Sequence, residues 1–233
     1  MKKLGFDRFN PVIVVRNEST AATDREVRHV LPALQKQIRE HFAPAWGLRA
    51  RLVFGAGPRR SMQVVLRDVS DEEGDLGYHF LDGYPVTYVF VKEDKDRYGE
   101  FTSTLSHELL EMIADPGANL YADGFYRGKH GKHRAAWIPY EVCDAIEENL
   151  YKIDGVPVSD FLLPEWFEPE HTDRSMKMDY LGVLDRPFAL APGGYTDAMV
   201  GRQLRTIWGK NARRDRRRHR KLARQSVWNQ RRG

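Results

Sequence analysis

Thr102-Ser-Thr-Leu-Ser-His-Glu-Leu-Leu-Glu-Met-Ile-Ala-Asp-Pro116 is the stretch on which the reading of this chain turns. It predicts one amphipathic helix, beginning near Gly99 and stopped by Pro116. Residues i and i+4 lie one above the other on a helix. His107 and Glu111 can therefore aim two donor atoms at one point, with Glu108 beside them in the pattern His-Glu-x-x-Glu.

The chain before this helix alternates strand and helix signals. Pro11-Val-Ile-Val-Val15 is a short β-branched run and reads as a buried strand. Thr23-Asp24 is an N-cap signal for a helix to about Phe42, with Val27, Val30, Leu31, Leu34 and Ile38 on its core face. Pro32 weakens its first turns, and Ala43 to Gly47 closes it. Strands are expected at 48–54, 62–69, 78–81 and 85–91, with turns at Gly55–Pro58 and Asp82-Gly83 and an acidic loop at 70–75. Glu93–Tyr98 reads as a charged loop leading into the motif helix.

After the helix, 119–136 is polar and glycine-bearing and reads as a long loop. Trp137–Ala145 carries Glu141 and Asp144 three residues apart. Tyr151–Val158 reads as a hairpin around Asp154-Gly155. Phe161–Pro164 and Trp166-Phe167 add apolar weight, and Leu190–Tyr195 is a closing turn. The expected fold class is α+β: a twisted, mostly parallel or mixed sheet, a backing helix and the motif helix.

Charge divides the chain unevenly. The 233 residues carry a net charge of +4, yet residues 202–233 hold 13 of the 37 Lys and Arg and one of the 33 acids. That gives about +12 on the tail and about −8 on the rest. The expected organisation is a body over 1–201 and a basic arm, extended or helical, over 202–233. Such an arm attracts nucleic acid or an acidic protein surface, including another subunit's body. It contains no base-reading motif, and Trp208 and Trp228 could stack on bases or anchor the arm on a protein. Cys143 is the only cysteine, so no intrachain disulfide can form and a reducing compartment is expected. No apolar run is long enough for a signal peptide core or a membrane span. The expectation is a cytoplasmic or virion-associated protein, not secreted by a signal peptide, with homo- or hetero-oligomers open.

Leu105-Ser-His-Glu-Leu-Leu-Glu-Met-Ile-Ala-Asp-Pro116, followed by Glu141-Val-Cys-Asp144, resembles a set of zincin-like metallopeptidases, many encoded by phages and prophages. More distantly it is similar to plant and fungal secreted proteins with a His-Glu-x-x-Glu helix and a later Glu-x-x-Asp-x-Cys-like segment. The resemblance spans roughly residues 10–200, is specific at these two motifs and is loose elsewhere. It implies a zincin-like sheet with the metal helix entering directly after it, and a peptide or protein substrate.

A catalytic zinc takes three protein ligands and one open position. His107 and Glu111 supply two. Glu141 is the first choice for the third, because it lies in the next ordered segment and in the family-like Glu-x-x-Asp pair; Asp144 follows closely. Asp115 or a loop histidine (His130 or His133) stays open, although an Asp at a helix end can instead organise the turn. Glu108 is the expected general base, taking a proton from the activated water. Zn²⁺ is the expected ion. One imidazole with two carboxylates would also admit Mn²⁺ or Ca²⁺ and would weaken the metal as a Lewis acid. Cys143 reads as a small buried residue, and Tyr140 and Tyr195 as packing residues rather than oxyanion donors. Met176 and Met178 lack the flanking motif of a methionine turn. The rival reading is a non-catalytic zincin-fold assembly protein that works through its basic arm. It would tolerate Glu108→Gln and lose function on deletion of 210–233.

Overall fold

The computed structural model describes residues 10–70, 76–127, 132–170 and 175–210. In chain order the main elements are β1 (Val12–Asn17), α1 (Asp24–Lys36), α2 (Ala43–Trp46), β2 (Arg51–Phe54), β3 (Met62–Arg67), β4 (Gly77–Leu81) and β5 (Pro85–Phe90). There follow α3 (Val91–Tyr98), α4 (Thr102–Ala114), β6 (Tyr121–Arg127), β7 (His133–Pro139), β8 (Leu150–Ile153), β9 (Val156–Ser159), β10 (Tyr195–Val200) and β11 (Gln203–Trp208). The architecture is α+β with mixed sheets. The chain forms two compact units, one from residues up to 117 together with 150–159, the other from 118–149 together with 160 onward.

The first unit is built on a five-stranded sheet of order β2-β1-β3-β5-β4. β1 pairs in parallel with β2 and β3, β3 in parallel with β5, and β4 runs antiparallel along β5 at the edge. Its centre is apolar on both faces: Ile13, Val15, Val64, Leu66 and Val89 are buried on one, and Val14, Val65 and Val86 on the other. That is the signature of a parallel sheet covered on both sides.

α1 begins with a capping box in which Thr23 and Glu26 satisfy each other's backbone N–H groups. Val27, Val30, Ala33 and Leu34 form its buried face. Past Lys36 the helix widens into a π-turn, Gln37–Phe42, before α2. Gln37 is buried there and fully used. Its Nε2 donates to the Ser159 carbonyl at 2.8 Å, and its Oε1 accepts from Ser106 Oγ at 2.8 Å. Ser106 Oγ in turn accepts from Ser159 N at 3.0 Å. One buried relay thus ties the π-turn, α4 and β9 together.

Two expectations in this unit need correction. Glu93–Tyr98 is not a loop but most of α3, held by an i,i+4 pair of Lys92 with Asp96 and burying only Val91 and Asp94. α4 consequently starts at Thr102 rather than near Gly99. The Glu100 carboxylate accepts the otherwise orphaned N–H groups of Thr102 and Ser103 at its N-terminus.

The second unit carries an antiparallel sheet of order β11-β10-β7-β6. Two further corrections fall here. Much of the loop expected at 119–136 is hairpin, with Tyr121 facing Pro139 and Arg127 facing His133 across β6 and β7. The boundary expected at 201 falls inside another hairpin, since β11 pairs along the whole of β10. Alternate residues Leu204, Thr206 and Trp208 of this basic stretch are part-buried, so 203–208 belong to the sheet. The Arg-rich stretch 213–221, Trp228, His130 and most of the acidic loop at 70–75 lie outside the described residues. Among the described residues no helix is long and apolar enough to cross a membrane.

Candidate metal centre

α4 is buried nearly all round, including Ser106, Glu108 and Glu111, and packs against β4, β5 and β9. A helix this apolar can bury carboxylates only if something compensates their charge. His107 and Glu111 are brought together as the spacing predicts: Nε2 lies 3.2 Å from Glu111 Oε1, with both side chains nearly shielded from solvent. Two donors each about 2.0–2.1 Å from a tetrahedral ion stand about 3.4 Å apart. The pair is therefore already at the spacing a bound cation would impose. Imidazole plus carboxylate is also a donor set that zinc accepts.

Glu108 faces the edge strand. Its Oε2 is 3.6 Å from His79 Nδ1, just beyond hydrogen-bond reach, with side-chain exposures of 8% and 5%. That oxygen is buried and has no hydrogen-bond partner among the described residues. The backbone of β4 presses on the same side chain. A Cβ at Gly77 would stand 2.8 Å from both Glu108 Cγ and Oε1, so only glycine leaves the carboxylate its place. His79 is a residue that the motif and its spacing did not reveal. Nothing in Gly77-Tyr-His-Phe-Leu81 marks it, because its partners come from a helix some thirty residues later.

The neighbouring acid is kept quiet. Asp94 on α3 is fully buried and accepts from Thr104 Oγ1 at 2.8 Å. Burial raises its pKa to about 8, with the charges of Glu100 and Glu108 adding to the rise. At neutral pH it sits mostly protonated and adds little negative charge beside Glu108.

Asp115 ends α4, and its Oδ1 accepts from Gly117 N at 3.3 Å, so it turns the chain out of the helix. Glu141 and Asp144 belong to the second unit. Asp144 is buried at the start of a short 3-10 turn, Asp144–Ile146, and places a carboxylate oxygen within 4.8 Å of one from Glu147. Cys143 before it is fully buried. Tyr140 stacks on Phe167 with centroids 4.4 Å apart, and Tyr195 packs on Trp208, which is how packing residues behave. His133 stacks on Phe125 within the β6–β7 hairpin. Met178 is buried and Met176 exposed.

Set against protein-family models, curated proteins and solved structures, the chain finds no match.

Proposed function

We propose that the first unit holds a divalent cation, zinc in the first instance, and that the protein is a metal-dependent peptidase of zincin type. The observation that carries this is the His107–Glu111 pair at 3.2 Å, with Glu111 and the neighbouring Glu108 carboxylate buried. The order of the unit supports the zincin part: a backing helix, a mixed sheet with one antiparallel edge strand, then the motif helix.

When bound, the ion would polarise the scissile carbonyl and acidify a water. The rest of the chemistry falls to the protein. Glu108 would accept a proton from that water as the new C–O bond forms. It then returns the proton to the amine nitrogen as the C–N bond breaks, so the carboxylate ends as it began. Burial of Glu108 under β4 keeps bulk water from competing for that proton.

Metal content decides the first half of the proposal. Purified protein should carry about one zinc per chain, lost in both His107→Ala and Glu111→Ala. The second half is read with fluorescent casein and Glu108→Gln as control. Absence of any transition metal after zinc is offered would defeat the reading and favour the assembly role.

A further inference from the structure

We propose that His79 is the third protein ligand, so that the centre is built from two imidazoles and one carboxylate: His79, His107 and Glu111. This rests on the reading of α4 as a metal-binding helix and puts His79, a residue of the same unit, ahead of Glu141 and Asp144 as the third donor.

Side chains alternate along a strand, so residues 77 and 79 share one face of β4. Gly77 identifies that face as the one against α4, because an added Cβ would run into Glu108. His79 therefore points toward the motif helix, and the distances agree. Its Nδ1 is 3.6 Å from Glu108, and one of its ring nitrogens lies within 4.8 Å of a Glu111 carboxylate oxygen. Glu111 thus stands near an imidazole from its own helix and another from the edge strand.

Donor chemistry points the same way. Two imidazoles and one carboxylate leave a zinc ion with net positive charge, as suits an ion that must polarise a carbonyl. One imidazole with two carboxylates would cancel that charge and favour harder cations. The motif helix lacks its second histidine because position 111 is Glu, and β4 supplies the missing imidazole from within the same unit.

The test uses the full-length protein with zinc and cobalt as probes. Zinc affinity is measured by competition with a chromophoric chelator for wild type, His79→Ala, His107→Ala, Glu111→Ala and a control, His41→Ala. The expected result is a loss of more than about 100-fold for His79→Ala, beyond the 10–100-fold cost of removing a residue that only orients a ligand. His79→Cys guards against misfolding. If residue 79 ligates, its thiolate restores binding and adds a sulfur-to-cobalt charge-transfer band that wild type lacks. Wild-type affinity in His79→Ala, with losses in His107→Ala and Glu111→Ala, would overturn His79 ligation and leave the peptidase reading standing. A 10–100-fold loss with no new band in His79→Cys would also overturn it, leaving His79 as a positioning residue for Glu108. Failure of wild type itself to bind would instead remove the metal reading on which the proposal rests.

Discussion

Two pairs of buried acids in this protein are stabilised by opposite means. In the first unit Glu108 and Glu111 lie against two imidazoles, and the N–H donors of their helix are already spent within it. In the second unit Asp160 and Asp179 lie against backbone. Asp160 Oδ1 accepts from Phe161 N at 2.8 Å and Leu181 N at 3.2 Å, while Asp179 takes Val183 N at 2.9 Å and Leu184 N at 2.7 Å. Burial, together with the Asp179 partner, pushes Asp160 up to about 8, so Asp160 keeps its proton at neutral pH. The second arrangement is closed. Backbone donors and one proton compensate it, and it folds two loops together. The first lies against side-chain imidazoles rather than backbone N–H groups. Burial alone does not tell these two arrangements apart; the kind of partner does.

The largest effects should come from breaking the first pair. Each ligand of a structural zinc site accounts for about 3–4 kcal/mol. Loss of His107 or Glu111 should therefore lower zinc affinity on the order of 100- to 1000-fold. Glu108→Gln should keep the metal while casein hydrolysis falls about 10²–10⁴-fold. Equal metal loss in all three variants would make Glu108 a ligand and leave the site without a base.

Gly77→Ala sharpens the comparison from the strand side. The added methyl would meet Glu108 at 2.8 Å, and Glu108 has little room to retreat. The expected cost is about 1–3 kcal/mol in chemical denaturation. Hydrolysis should fall further than the stability loss explains, with zinc content kept. Unchanged stability would show that β4 yields and that the seat is not tight.

The closed pair makes a prediction about pH. Asp160's folded value near 8 lies above its ordinary 3.8, so the folded state keeps a proton that the unfolded chain has already released. Its contribution is full below pH about 4 and is lost as pH rises toward 8, at up to about 1.4 kcal/mol per pH unit. Asp160→Asn should flatten that fall in melts run from pH 5 to 8. Its amide supplies a hydrogen where the protonated Asp160 carboxyl supplied one. A residual slope from Asp94, also near 8, should remain. An unaltered slope in the variant would mean that Asp160 is ionised throughout.

The contrast also shows what a sequence can carry. The His-Glu-x-x-Glu spacing and the capped backing helix were legible because each rests on local geometry: an i,i+4 step, and a Thr-x-x-Glu box. α3 was not legible, because it buries only Val91 and Asp94, and an aspartate reads as solvent-facing. The β6 strand was hidden by Gly124. That glycine is required because a Cβ would lie 2.6 Å from the Phe188 ring, more than sixty residues away in sequence. His79 was invisible for the same reason, since a lone histidine in a strand acquires meaning only from the helix packed on it.

The smallest effect concerns how the motif helix is held rather than what it holds. Ser106 precedes His107 but faces away from it, joining Gln37 Oε1 to Ser159 N through one hydroxyl. Ser106→Ala would leave a buried acceptor and a buried donor without that shared partner, at a cost of about 1–2 kcal/mol. Zinc affinity should change less than threefold, because the 3.2 Å spacing of His107 and Glu111 is set within one turn of α4. A large loss of affinity with only a small loss of stability would reverse that order. It would show that the donor atoms are placed by the relay through the π-turn and β9, and that the site is assembled by the unit rather than by the helix.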